Sequence, residues 1–169
     1  MNAANRDETF RRQAYSIASA SIWLALCISL FAVNFLNFAT VYFTINKDGS
    51  SLHIAESVLV GVCHRMPSRS FWFLEVPLGL CSRCTGVYSS AFVAAIILPF
   101  SGLPRNNNFL AYSFLGLLPL IADGTLEHLG VYSGNSVLRF CTGILFGYSI
   151  IAIVTHYHNQ LTYQPTKRR

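Results

Sequence analysis

Between residues 63 and 86 the chain gathers thiols, an imidazole and guanidinium groups. The stretch opens with Cys63-His64-Arg65-Met66-Pro67 and closes with Cys81-Ser82-Arg83-Cys84-Thr85-Gly86. Three of the five cysteines lie in it. Cys81-x-x-Cys84 has the spacing of half a zinc site and also of a thiol–disulfide motif. Cys63, 18 residues before Cys81, offers a third thiolate. A structural zinc takes four ligands, and a catalytic one takes three plus an open position. The fourth place falls to His64, His53, His128 or Asp123. Side chains of adjacent residues diverge, so His128 competes with His64. The expected metal set is therefore Cys63, His64, Cys81, Cys84 and His128, with zinc as the first ion considered.

Redox chemistry is the rival. Outside the cytoplasm thiols tend to oxidise. Cys81 and Cys84 would form the exchanging pair, with Cys63 as the attacking thiol. A helix N-terminus at this motif favours the thiolate. A structural disulfide with one leftover thiol is the plainest outcome. Cys27 and Cys141 sit in apolar runs and read as small buried hydrophobes.

A second polar segment runs Asp123-Gly124-Thr125-Leu126-Glu127-His128, and Arg139 follows. Asp123 and Glu127 are four apart and share a face if helical. A carboxylate and an arginine near a bilayer edge usually pair, which predicts Asp123–Arg139 or Glu127–Arg139. If these groups instead face the cysteines, Asp123, Glu127 and Arg139 become the candidate catalytic residues, as general base, proton carrier or charge partner. Arg65, Arg69 and Arg83 flank the cysteines and are suited to an anion, or to surface pairing with Glu56 and Glu75. His156 and His158 read as solvated tail residues.

These groups need a scaffold, and composition says which kind. Apolar residues make up 53% of the 169-residue chain and charged residues 11%. An average soluble domain has about 25% charged residues. The mean hydropathy is +0.44. No residue from Gln13 to Asn46 is charged, and about 20 apolar residues cross a bilayer. That run is too long for a signal-peptide core of about 7–15 residues, so it reads as an uncleaved helix. Asn34 and Asn37 within it are expected to face other helices rather than lipid. Further runs give an all-α membrane protein with four transmembrane helices, at about 15–43, 85–100, 107–122 and 137–155, in one domain spanning 1–169. Gly143 and Gly147 form a small-xxx-small face for close helix contact.

The rest of the chain is connection. Asn46 to Ser50 is a turn signal. Residues 46–83 read as a long, mixed loop with a short amphipathic helix near His53–Val62. Phe71-Trp72-Phe73-Leu74 is the kind of cluster found at headgroup level. Arg6, Arg11, Arg12, Arg105, Lys167, Arg168 and Arg169 would share one side with Asp7 and Glu8, a balance of +5, whereas the other side is neutral. The positive-inside bias then puts both termini in the cytoplasm and the cysteine-rich loop outside. The cell membrane is the expected location and the lipid bilayer the expected partner. No basic patch interleaved with stacking aromatics lies outside the apolar runs, so nucleic acid is not expected.

Cys63-His64-x-x-Pro67-x-Arg69-Ser70-Phe71 and Leu80-Cys81-x-Arg83-Cys84-Thr85-Gly86-x-Tyr88 resemble the motifs of a family of uncharacterised prokaryotic multi-pass membrane proteins, known as a domain of unknown function. Asp123-Gly124 and Asn135-x-x-Leu138-Arg139-x-x-Thr142-Gly143 resemble its later elements. Where the family often has Thr-Gln after Asp-Gly, this chain has Thr125-Leu126-Glu127. The resemblance implies a multi-pass protein in which these residues cluster, and brings no activity with it. Three function classes follow: a transition-metal site, a thiol–disulfide oxidoreductase, and a scaffold or transporter subunit without chemistry of its own.

Overall fold

In the computed structural model, backbone is described for residues 3–101 and 107–162, and side chains for 18–101 and 108–159. Six helices follow in order: α1 Ala3–Ile45, α2 Gly49–Val60, α3 Ser82–Ile97, α4 Asn107–Leu115, α5 Leu118–His128 and α6 Ser136–Thr162. Two two-residue strands, β1 Trp72–Phe73 and β2 Val76–Pro77, form an antiparallel hairpin between α2 and α3. Four stretches are long and apolar enough to cross a membrane: Ala18–Ile45, Ser82–Phe100, Asn108–His128 and Ser136–Asn159.

Each expected run overlaps one of these stretches, but the third is different in kind. It reaches His128, so Asp123 to His128 are the last turns of α5 and not a loop after the span. It is also broken. Pro119 has no N–H to donate back to Leu115, and the chain turns at Gly116 and Leu117 before α5 starts. Gly116 allows this break to lie against α6, since a Cβ there would stand 2.2 Å from Ser149 Oγ. At its far end α5 is closed by Gly130 at φ +70°, and Val131 N–H donates to Leu126 C=O. That left-handed helix stop is one glycine supplies without strain.

The segment 46–83 is also more ordered than a loop. Asp48 caps α2 through its carboxylate, which accepts from Ser51 N–H at 3.2 Å. The Ser51 hydroxyl, and after it the Ser51 N–H, hold the Asp48 carboxyl below its usual range. Ala55 and Leu59 of α2 are buried, while Ile54, Val58 and Val62 are exposed. The hairpin was not expected, because its two-residue turn carries Leu74 and Glu75 at positive φ, where glycine or asparagine is usual.

The interior is more polar than the outside, as a bilayer solvent demands. Asn37, Ser82, Thr155 and His156 are buried, whereas Phe31, Phe35, Phe38 and Tyr42 are exposed along α1. Asn34 and Asn37 face other helices as expected. Asn34 donates to Tyr88 C=O at 3.1 Å and accepts from Ser89. Asn37 accepts from Leu80 N–H at 2.7 Å and donates to Thr85 at 3.3 Å. Two tail assignments are overturned: His156 is buried beside Phe109, with ring centroids 6.2 Å apart, and His158 lies against Trp23 at 5.8 Å. The last span stays helical through both, so they belong to the bundle. Cys141 is also not buried but exposed on α6, facing outward with its apolar neighbours. Cys27 is partly buried, its sulfur 4.0 Å from Ala95 C=O. Arg105 and Lys167 to Arg169 lie outside the described residues, as do the side chains of Arg6, Asp7, Glu8, Arg11 and Arg12.

Helices α3 and α6 form the central pair, joined through glycines. A Cβ on Gly143 would meet Arg83 C=O at 2.3 Å, and one on Gly86 would meet Phe140 C=O at 2.4 Å. Neither backbone can give way locally, so the helices must separate. Gly143→Ala is expected to cost about 1–3 kcal/mol or more by overpacking, read as a lower thermal midpoint in detergent. Gly49→Ala, with open space around its Cβ, is the control that leaves the midpoint unchanged.

Candidate metal centre

The cysteine cluster is assembled from three places. Cys63 follows α2, with its N–H on Leu59 C=O at 3.0 Å. Cys81 caps α3, and Cys84 is in the first turn of α3. Two bonds from Asn37 of α1 hold the approach to α3: Gly79 N–H donates to its C=O at 3.2 Å and Leu80 N–H to its side chain. Gly79 is required there, because a Cβ would lie 2.7 Å from Leu59 and 2.8 Å from Thr40.

All three sulfurs lie within 4.8 Å of one another, and Cys63 and Cys81 are 3.4 Å apart. All three cysteines are free thiols. Cys63 Sγ also accepts from Arg65 N–H at 3.4 Å and Cys81 N–H at 3.5 Å. The Cys81 and Cys84 thiols, with these amides, hold the Cys63 pKa well below the usual thiol range. Contact with ionised Cys63 and burial push Cys81 the other way. A cavity of about 390 Å³ opens over the sulfurs, and His64 lines it together with Arg65, Arg69 and Arg83. Among the described residues no histidine nitrogen or carboxylate oxygen joins the sulfur cluster itself. Of the two proposed fourth ligands, His64 is at the cavity wall and His128 is exposed at the end of α5.

Beside the cluster is a charge network. Glu127 pairs with Arg139 at 2.6 Å, with Arg83 at 3.0 Å and with Arg69 at 3.2 Å. The side chains of Glu127 and Arg139 are only 8% and 9% exposed. Asp123 is buried against Arg83, Tyr132 and Thr142. Of the two pairings the sequence offered, Glu127–Arg139 forms, while Asp123 pairs with Arg83 instead. Asp123, Glu127 and Arg139 are thus brought together, and Arg83 joins them to Cys84, its neighbour on α3. Arg65 pairs separately with Glu56 at 2.6 Å, a pairing the sequence had offered, and donates to Gly79 C=O at 3.0 Å.

Sequence reasoning gave Arg83 no such linking role and passed over Tyr132. The Arg in Cys-x-Arg-Cys carried a signal, since an arginine in the first turn of a membrane helix needs an anion. Tyr132 carried none. Gly134 allows the α5–α6 connection to lie on the network, for a Cβ there would meet Arg139 at 2.9 Å and Glu127 at 3.0 Å.

An uncharacterized protein, MJ1492, of Methanocaldococcus jannaschii is 30% identical over 110 residues, covering 63% of this chain and 69% of that protein. An uncharacterized protein of Methanothermobacter thermautotrophicus is 32% identical over 92 residues, 54% of this chain and 83% of that one. No solved structure matches the chain. The clustered cysteines and the residues of the charge network all fall in residues 63–153, the range matched by the predicted membrane protein family DUF2085, and the chain belongs to that family.

Proposed function

We propose that this multi-pass membrane protein binds a transition metal, zinc first, through Cys63, Cys81 and Cys84. The reading rests on the convergence of three unbridged sulfurs from separate segments. Thiolates about 2.3 Å from one ion stand close to this spacing. His64 is the preferred fourth ligand, with His128 second, and otherwise the fourth position opens to the arginine-lined cavity. The site lies on the extracytoplasmic side of the cell membrane, with both termini cytoplasmic. Asp123, Glu127 and Arg139 are the candidate catalytic groups, acting beside the ion rather than on it.

Elemental analysis of detergent-purified protein is the test. About one zinc per chain is expected, and content near zero ends this reading. Binding should depend on pH with a definite sign. Protons compete with the ion for thiolates, and Cys81 holds its proton more firmly than an ordinary thiol. Zinc affinity is therefore expected to rise through neutral into mildly alkaline pH and to fall below it, as read by chelator competition.

Thiol–disulfide exchange at the Cys81-x-x-Cys84 pair is the second reading, and the 3.4 Å approach of Cys63 to Cys81 suits Cys63 as the attacking thiol that bridges to Cys81. Two thiols would give two electrons and two protons to a quinone or disulfide acceptor. Metal-free protein that forms this bridge under a mild oxidant would support it.

A further inference from the structure

The residues that line the cavity over the sulfurs, from 62–69 and 81–84, flank the hairpin in sequence and lead directly into the α3 span. The α3 span, Ser82–Phe100, has 19 residues. At 1.5 Å per residue it covers about 28 Å, close to the hydrocarbon thickness of about 30 Å. Its first residue therefore marks the membrane boundary on the cysteine side. The segment before it is held at that level by Asn37 of α1, through Gly79 and Leu80. Phe71, at the foot of the hairpin, packs edge-on against Phe140 in the second turn of α6, with centroids 5.5 Å apart.

Trp72, Phe73 and Leu74 are 60%, 61% and 68% exposed. Leu74 sits in a left-handed turn at φ 51°, a conformation that costs of order 1 kcal/mol or more for such a residue. Water offers no return for an exposed leucine in a strained turn. A bilayer edge does, and tryptophan is at home there. Ile54, Val58 and Val62 form an exposed apolar stripe at four-residue spacing on and just after α2.

Val62, at the end of that stripe, also lines the cavity over the sulfurs. Three arginines and one histidine line it, and no carboxylate does. Arg69 is its most open cation: its side chain is 45% exposed and its pair with Glu127 uses one nitrogen at 3.2 Å. Guanidinium donors left over at such a rim suit a phosphate.

We propose that this cavity is a binding site for the phosphate headgroup of an anionic phospholipid, with Trp72 to Leu74 as the anchor in the same leaflet. The site deepens the metal reading by naming what reaches the sulfurs. It rests on that reading only for the identity of the ligand's neighbour, since headgroup binding needs no ion.

Two measurements on the full chain test it. In phosphatidylcholine–phosphatidylglycerol vesicles, Trp23→Phe protein leaves Trp72 as the single tryptophan. Its emission is expected to be quenched by lipids labelled high on the acyl chain and little by aqueous iodide. Iodide quenching as full as that of a free indole overturns the anchor. In neutral detergent, phosphatidylglycerol is expected to raise the thermal midpoint of delipidated protein by several degrees, with phosphatidylcholine and inorganic phosphate well behind. Arg69→Gln should lose at least half of that shift. Leu74→Asn relieves the turn, so it should keep the fold and zinc content while its Trp72 escapes lipid quenching. An equal shift with inorganic phosphate, or no shift with any of them, overturns the lipid assignment. Zinc content, measured in parallel, reports on the metal reading independently.

Discussion

Glu127→Gln is expected to destabilise the protein by about 3–5 kcal/mol, the cost of leaving a buried charge without its partner. Glu127 meets three arginines, Arg69, Arg83 and Arg139, and two of those pairs lie within 3.0 Å. The glutamine keeps the shape and one acceptor oxygen but loses the charge. Arg139, 9% exposed, is then stranded. Denaturation in mixed micelles measures the loss. The double variant Glu127→Leu with Arg139→Met removes both charges and should recover a good part of it, since buried pairs replaced by apolar groups are often near neutral. If the double variant is as unstable as the losses of Glu127→Leu and Arg139→Met added, the pair is not coupled and the network does not hold α5 to α6.

Cys63→Ser, Cys81→Ser and Cys84→Ser are each expected to abolish zinc retention through purification. Each removes one of three converging sulfurs. The loss in affinity should exceed the 10- to 100-fold typical of disturbing a ligand's outer-shell partner. Cys27→Ser and Cys141→Ser should keep the parent's zinc, because Cys27 packs on Ala95 and Cys141 faces outward on α6. His64→Ala separates the two proposals for the fourth position. A fall in affinity assigns His64, and an unchanged value with a fall in His128→Ala assigns the other. Full zinc in any of the three serine variants of the cluster would sink the centre.

The sequence by itself determined the membrane class and the four stretches long and apolar enough to cross a bilayer. Whether a run is apolar enough to cross lipid depends on its own composition and length, not on what it packs against. The turning of Asn34 and Asn37 toward other helices followed for the same reason, since lipid offers them no partner. The gathering of Cys63, Cys81 and Cys84 was also legible, through the resemblance in their motifs. What only the tertiary structure decided is which faces meet. Arg83 could have taken any carboxylate, and the packing of α3 on α6 through Gly86 and Gly143 turns it to Asp123 and Glu127. His156 looks like a tail residue until α4 is laid beside it and Phe109 covers it. The hairpin at Leu74 and Glu75 breaks the local rule for turns, and no local rule could have announced it. Hydropathy is written along one dimension, whereas pairing depends on rotation and depth of whole helices, which contacts distant in sequence impose.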